Sequence, residues 1–204
     1  MEVFKHIIRN IYPISDKSLD LLLPFVQKKY YHKNEYILKP GEIKHEIYFV
    51  SEGLVSTNYI NNEEDIIIDI FLKNEYVPSS MNLIKVEENN YKYSLIAIKD
   101  STLYVVCKDA IYQLFKQNRE ITYLFLIMAD NLFIKSIKGI IFQKCYSSSD
   151  RYKLLQKEFS SSLNDIPIKD LASLLGIKDT SLSRIRKQFT YDKIPTTKKN
   201  KKST

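Results

Sequence analysis

The sequence predicts an α+β protein: an antiparallel β domain, then a long helix, then a C-terminal helical segment. Three observations carry this. Between residues 28 and 106, short runs rich in Ile, Val, Tyr and Phe alternate with turn signals, the mark of an antiparallel barrel or sandwich. Residues 109–142 hold no proline and a single glycine, Gly139, and repeat apolar residues at helical spacing. The charge excess sits at the end. Residues 150–204 carry 13 Lys and Arg against 6 Asp and Glu, and the totals of 31 and 24 leave 18 of each sign in residues 1–149.

The 204 residues are 44% hydrophobic and 27% charged. That allows one large domain or two small ones, with a core that needs no disulfide staples. The two cysteines, Cys107 and Cys145, lie far apart and form no Cys-x-x-Cys pair, so a reducing compartment is expected. The first residues show no signal pattern and no run of 18 apolar residues occurs, so a cytoplasmic protein without a membrane partner is expected.

Residues 2–11 read as an amphipathic helix through Val3, Phe4, Ile7, Ile8 and Ile11. A second helix follows Ser15 as N-cap and stops before Pro24. Strands are expected at residues 36–38, 47–50, 54–60, 65–72, 93–98 and 102–106. Turns separate them at Lys39-Pro40-Gly41-Glu42, Ser51-Glu52-Gly53, Asn61-Asn62-Glu63-Glu64 and Lys99-Asp100-Ser101. A long helix then starts at Asp109 as N-cap. Leu114, Ile121 and Met128 repeat at seven, and Leu124, Phe125 and Leu132 complete an apolar seam. A helix of about 30 residues spans about 45 Å, more than one small barrel covers. Part of the seam is therefore expected to face another chain; the alternative is a core helix lying across the barrel.

Ser147-Ser148-Ser149 reads as a hinge or cap, followed by a helix over 150–160 and a turn at Asn164-Asp165-Ile166-Pro167. The segment from Ile168 to Lys187 carries the strongest functional signal. Leu171 and Leu175 share one helix face, Ala172 is small where helices approach, and Gly176 falls at the turn. Leu182 and Ile185 give a second helix its buried face. That is a helix-turn-helix. Opposite the buried face lie Thr180, Ser181, Ser183, Arg184 and Lys187. Arg184 has the donor fork that fits guanine O6 and N7. Ser181, Ser183 and Lys187 suit phosphate, which positions without specifying. Asp179 either caps the helix or accepts from a cytosine amino group.

Across residues 5–190 the layout resembles the Crp/Fnr family of transcriptional regulators. Lys39-Pro-Gly-Glu and Ile47-Tyr-Phe-Val-Ser-Glu-Gly-Leu-Val resemble the entry to the cyclic-nucleotide-binding β-roll, and Ala97-Ile-Lys-Asp-Ser-Thr-Leu resembles its exit strands. The ending Ser181-Leu-Ser-Arg-Ile-Arg-Lys is similar to the branch common in Bacteroidota. The resemblance implies an N-terminal antiparallel β-roll (a double-stranded β-helix) over 1–108, a dimerisation helix and hinge over 109–146, a helix-turn-helix domain over 147–192 and a Lys-rich tail over 193–204. It implies a homodimer that reads a palindromic operator in double-stranded DNA, with half-sites about 34 Å apart. RNA polymerase and a small-molecule effector are the further partners it suggests. Arg184 matches the family's base-reading Arg, whereas Asp179 and Thr180 stand where the best-known members have Arg and Glu.

The family's phosphate-binding cassette is a Gly-Glu pair followed by Arg and Ser or Thr. Here Pro78, Ser79 and Ser80 fall at the first position and Tyr91 and Lys92 at the second. No arginine occurs between Arg9 and Arg119. A cyclic phosphate would lose its bidentate partner, so the pocket reads as degenerate and no cofactor is expected. Two cysteines are too few for an iron–sulfur sensor. His32 and His45 fall in polar turns. No His-x-His, P-loop or nucleophile elbow is present, so neither a metal site nor an enzyme is expected. Two alternatives remain: a ligand-sensing roll that acts through a protein partner, and a regulator that does respond to a cyclic nucleotide.

Overall fold

The computed structural model describes residues 1–61, 64–78 and 93–191. The chain divides into two compact units, residues 1–144 and 145–204.

The first unit opens with α1 (Glu2–Ile11) and α2 (Asp16–Leu22), followed by a 3₁₀ turn at Leu23–Phe25. Ser15 caps α2 as expected, its hydroxyl accepting from the Ser18 amide. Among the described residues, eight strands follow: β1 (Val26–Tyr31), β2 (Tyr36–Leu38), β3 (Glu46–Glu52), β4 (Val55–Asn61), β5 (Glu64–Phe71), β6 (Tyr76–Pro78), β7 (Tyr93–Ala97) and β8 (Ser101–Cys107). They pair antiparallel in two four-stranded sheets, ordered β1-β8-β3-β6 and β2-β7-β4-β5. Two short elements went unread in the sequence. The edge strand β1 is rich in polar residues, and β6 is only three residues long.

The turns are built as their residues require. The Glu42 amide donates to the Lys39 carbonyl at 3.0 Å, and Gly41 takes φ +81°. Gly53 takes φ +94°, and a Cβ there would lie 2.5 Å from the Asp100 carbonyl oxygen and 2.7 Å from Ser101 Cα. Only glycine fits that crossing. The turn at 61–64 falls partly outside the described residues.

The central strands of the first sheet, β3 and β8, are buried on both faces, which explains their near-continuous apolar sequences. In β3 and β8, Tyr48, Val50, Leu103 and Val105 point into the roll with Ile37, Val55, Phe71 and Leu95. The alternate residues Ile47, Phe49, Tyr104 and Val106 face the helices, where Phe4, Ile7, Ile8, Leu19 and Leu22 cover them. Phe4 meets Phe49 edge-on at 5.3 Å.

After β8 the expected single helix is two. α3 (Lys108–Phe115) starts with Cys107 at the cap position and Asp109 in its first turn, so Asp109 is not the cap. α4 (Arg119–Cys145) is a separate helix of 27 residues. Asn118 causes the break: its Oδ1 accepts from the Ile121 amide at 3.1 Å and its Nδ2 donates to Ser18 at 2.8 Å. Glu120 then binds the Ser15 amide and hydroxyl, which fixes the start of α4 against α2.

The predicted seam turns inward along its first half. Leu114 lies on α3, and Leu114, Ile121, Leu124 and Met128 are buried in the chain's own core, with Phe125 and Leu132 packed against it. The apolar face that α4 exposes is a different one: Leu126, Phe133, Ile134, Ile137, Ile140 and Ile141, with Phe133 at 68% exposure.

The second unit holds α5 (Ser148–Phe159), a 3₁₀ turn (Ser160–Asp165), α6 (Ile168–Leu175) and α7 (Asp179–Tyr191). Ser147 caps α5, accepting from the Asp150 amide and donating to its carboxylate at 2.6 Å.

Candidate functional site

In the second unit, α6 ends on Gly176 in the left-handed region (φ +65°, ψ +37°). The Ile177 amide reaches back to the Ala172 carbonyl at 3.0 Å and the Gly176 amide to Ser173 at 2.9 Å. This pair of bonds closes a helix whose next residue must leave the axis. Leu171, Ala172 and Leu175 are fully buried, as expected, and Leu174 joins them. Leu182 and Ile185 supply the matching face of α7. Behind them Tyr152 of α5 packs on Phe189 at 5.6 Å and accepts a hydrogen bond from Arg186 Nε at 3.2 Å.

The opposite face of α7 carries the residues singled out in the sequence. Asp179, Thr180, Ser183, Arg184 and Lys187 are exposed, and Ser181 is partly buried. Both Arg184 and Lys187 are exposed, and neither forms a hydrogen bond or ion pair with another described residue. Asp179 is the first residue of α7, and the Lys178 carbonyl accepts the first helical amides, from Ser181 and Leu182. Lys178 therefore takes the cap position and Asp179 lies in the first turn.

In the first unit the roll treats its cations differently. Lys29 meets Glu46 at 3.6 Å and Lys44 meets Glu42 at 3.0 Å. Lys135 of α4 meets Asp69 at 3.0 Å and Glu75 at 3.5 Å, with its ammonium 3.8 Å from the centre of the Phe71 ring. Burial raises the Tyr31 phenol to about 12, with help from Glu46, Glu35 and Glu42. Burial also raises Tyr48, which donates to Glu46 at 2.5 Å. Of the predicted pocket, Pro78 ends β6 opposite Ile47, while Ser79, Ser80, Tyr91 and Lys92 lie outside the described residues. On the facing strands β4 and β7, Asn58 and Ser94 stand opposite one another, nearly fully buried. Asn58 Oδ1 and Ser94 Oγ have no hydrogen-bond partner among the described residues.

The comparisons with known proteins agree with this layout. Residues 28–118 match the family described as cyclic nucleotide-binding domain. That span runs from β1 to the break before α4. No curated protein matches the chain by sequence. Among solved structures, FixK2 from Bradyrhizobium japonicum is similar over 82% of this chain and 85% of its own, with a TM-score of 0.67 and 14% identity. CLP from Xanthomonas campestris, described as a c-di-GMP responsive global regulator, is similar over 87% of this chain and 93% of its own (TM-score 0.65, 16% identity). A protein from Eubacterium rectale assigned to the crp/fnr family of transcriptional regulators covers 90% of this chain and 88% of its own (TM-score 0.63, 15% identity). At these identities the likeness is one of fold. Among the described residues no helix is long and apolar enough to cross a membrane.

The sequence reading missed the group Asp69, Phe71, Glu75 and Lys135. Its one signal was Asp69, a carboxylate that interrupts the run Ile66-Ile67-Ile68-Asp69-Ile70.

Proposed function

We propose that the chain is a sequence-specific DNA-binding transcriptional regulator of the Crp/Fnr type, acting as a homodimer, with an effector pocket that has lost its phosphate-binding side chains. The observation that carries this is the pairing of α6 and α7. They bury one apolar face and leave Thr180, Ser183, Arg184 and Lys187 uncovered, in the part of the chain that holds the charge excess, which supports reading them as a helix-turn-helix. In this reading Arg184 reads a guanine in the major groove and Ser181, Ser183 and Lys187 hold phosphates. The uncovered apolar face of α4 (Leu126, Phe133, Ile137 and Ile141 among its members) is the dimer contact, rather than the buried seam. The fold shared with regulators supports the reading. So does the match to the cyclic nucleotide-binding domain, and that match makes cyclic AMP the effector to test.

The test is selection of DNA from a random duplex library by the purified protein, with and without cyclic AMP. A palindromic motif recovered equally in both arms supports the regulator with a pocket closed to cyclic AMP. A motif recovered only with cyclic AMP keeps the regulator and discards the degenerate pocket. No motif in either arm counts against DNA reading and favours a protein partner.

A further inference from the structure

The strands and turn around Asp69, Phe71 and Glu75 form a cage with two carboxylate walls and an aromatic floor. Each carboxylate is fixed by one of its oxygens. Asp69 Oδ1 accepts from the Ile70 amide at 2.8 Å, and Glu75 Oε2 accepts from the Leu72 amide at 2.7 Å. The second oxygen of each, Asp69 Oδ2 and Glu75 Oε1, is the one turned to Lys135. Glu75 is held further by its backbone. Its amide donates to Leu72 and its carbonyl accepts from Val50, while Asn74 takes φ +71° to make the turn. The floor, Phe71, belongs to the interior core of the roll.

We propose that this cage is a preorganised ammonium site, filled by the chain's own Lys135, and that its filling fixes the distal half of α4 to the roll without any effector. Two carboxylates around one ammonium leave a net negative site, which favours a cation. The ring 3.8 Å from that cation favours an ammonium group over a hard metal ion, whose ligands are oxygens. The position of Lys135 gives the site its consequence. Among the described residues, Leu132 is the last apolar residue of α4 packed on the core of the roll; beyond it Phe133, Ile134, Ile137, Ile140 and Ile141 are exposed and Phe142 is half-buried. The cage therefore holds α4 just beyond the last residue that the described core of the roll packs against. Its effect on operator binding rests on the regulator reading; the cage itself does not.

The experiment is hydrogen exchange on the full chain, comparing wild type with Lys135→Ala, with and without n-propylammonium chloride. Sodium chloride at equal ionic strength is the control. Lys135→Ala is expected to speed exchange in residues 129–145 on the order of tenfold, leaving β8 unchanged. Propylammonium replaces the missing stem and head, so it is expected to restore protection where sodium chloride does not. In Asp69→Asn combined with Lys135→Ala the rescue is expected to vanish. Unchanged exchange in 129–145, equal acceleration in β8, or rescue by sodium chloride as good as by propylammonium each overturns the proposal. If Lys135→Ala does not fold, the double variant Asp69→Asn, Glu75→Gln keeps Lys135 and is read the same way. Faster exchange in 129–145 supports the cage and unchanged exchange overturns it. None of these readouts needs DNA. A chain that binds no duplex can still show the rescue, and one that binds an operator without rescue keeps the regulator reading and loses the cage.

Discussion

The roll and α7 use positive charge in opposite ways. In the roll, Lys29, Lys44 and Lys135 each face a carboxylate, and Lys135 faces two. On α7, Arg184 and Lys187 face none among the described residues. A cation already engaged has little to offer a ligand phosphate, because moving it would first break an ion pair. A cation on an open helical face gives up only water and counterions, which is how a protein gains affinity for a polyanion. Lys29, Lys44 and Lys135 spend their charge on the fold, and Arg184 and Lys187 hold theirs in reserve.

Substitutions should divide along the same line. The largest effect belongs to the roll. Phe49 is fully buried and meets Phe4 edge-on, so Phe49→Ala is expected to cost about 3–5 kcal/mol of stability. Urea unfolding followed by circular dichroism measures it. A loss under about 1 kcal/mol, where surface substitutions fall, would mean that the face under α1 is loosely packed. Arg184→Ala should do the reverse, leaving unfolding unchanged because no described residue bonds to the guanidinium. On a selected operator it should cost about 1–3 kcal/mol at one base pair of each half-site and relax the preference there. Equal loss on every operator variant would move Arg184 to the phosphate contacts.

A third test sits at the boundary between the two uses of charge. Burial is the largest influence on Asp69 and raises its carboxyl above the ordinary range, against the pull of Lys135. A folded pKa raised above the unfolded one contributes stability at low pH that is lost as pH rises through the folded value. Asn cannot titrate. The stability of wild type minus that of Asp69→Asn should therefore fall as pH rises from about 3.9 through the folded value. In a Lys135→Met background the fall should extend to higher pH, since the lysine no longer opposes the shift. Denaturation series across this range decide it. A difference that grows with pH would make Asp69 an ordinary ion-pair partner.

What the sequence disclosed follows from how local each feature is. The cap at Ser15, the turn at Gly41 and the close of α6 on Gly176 depend on residues within a few positions, and each was readable. The break at Asn118 was not, because Asn118 Nδ2 bonds to Ser18, 100 residues away, while its Oδ1 caps α4. The seam on α3 and α4 had the right residues, but periodicity cannot say what covers a face. Leu124 and Met128 are covered by the chain itself, whereas Phe133 and Ile137 stand open. The cage was hidden for the same reason. Lys135 reads as a solvated lysine until β5 is folded beside it.

The smallest expected effect is also the most discriminating. Lys187 lies three residues beyond Arg184 on the exposed side of α7 and has no partner among the described residues. If it contacts a phosphate, Lys187→Ala should weaken binding to all duplexes by a similar factor and leave the selected motif unaltered. The slope of log affinity against log salt should fall by about 1.8, the share of one phosphate in each half-site of the dimer. The same substitution at Lys29, engaged with Glu46, should leave that slope alone. Titrations of both variants on one operator at several salt concentrations make the comparison. Equal slope changes at the two positions would mean that binding follows total charge, and α7 would lose its claim to be the DNA-binding face.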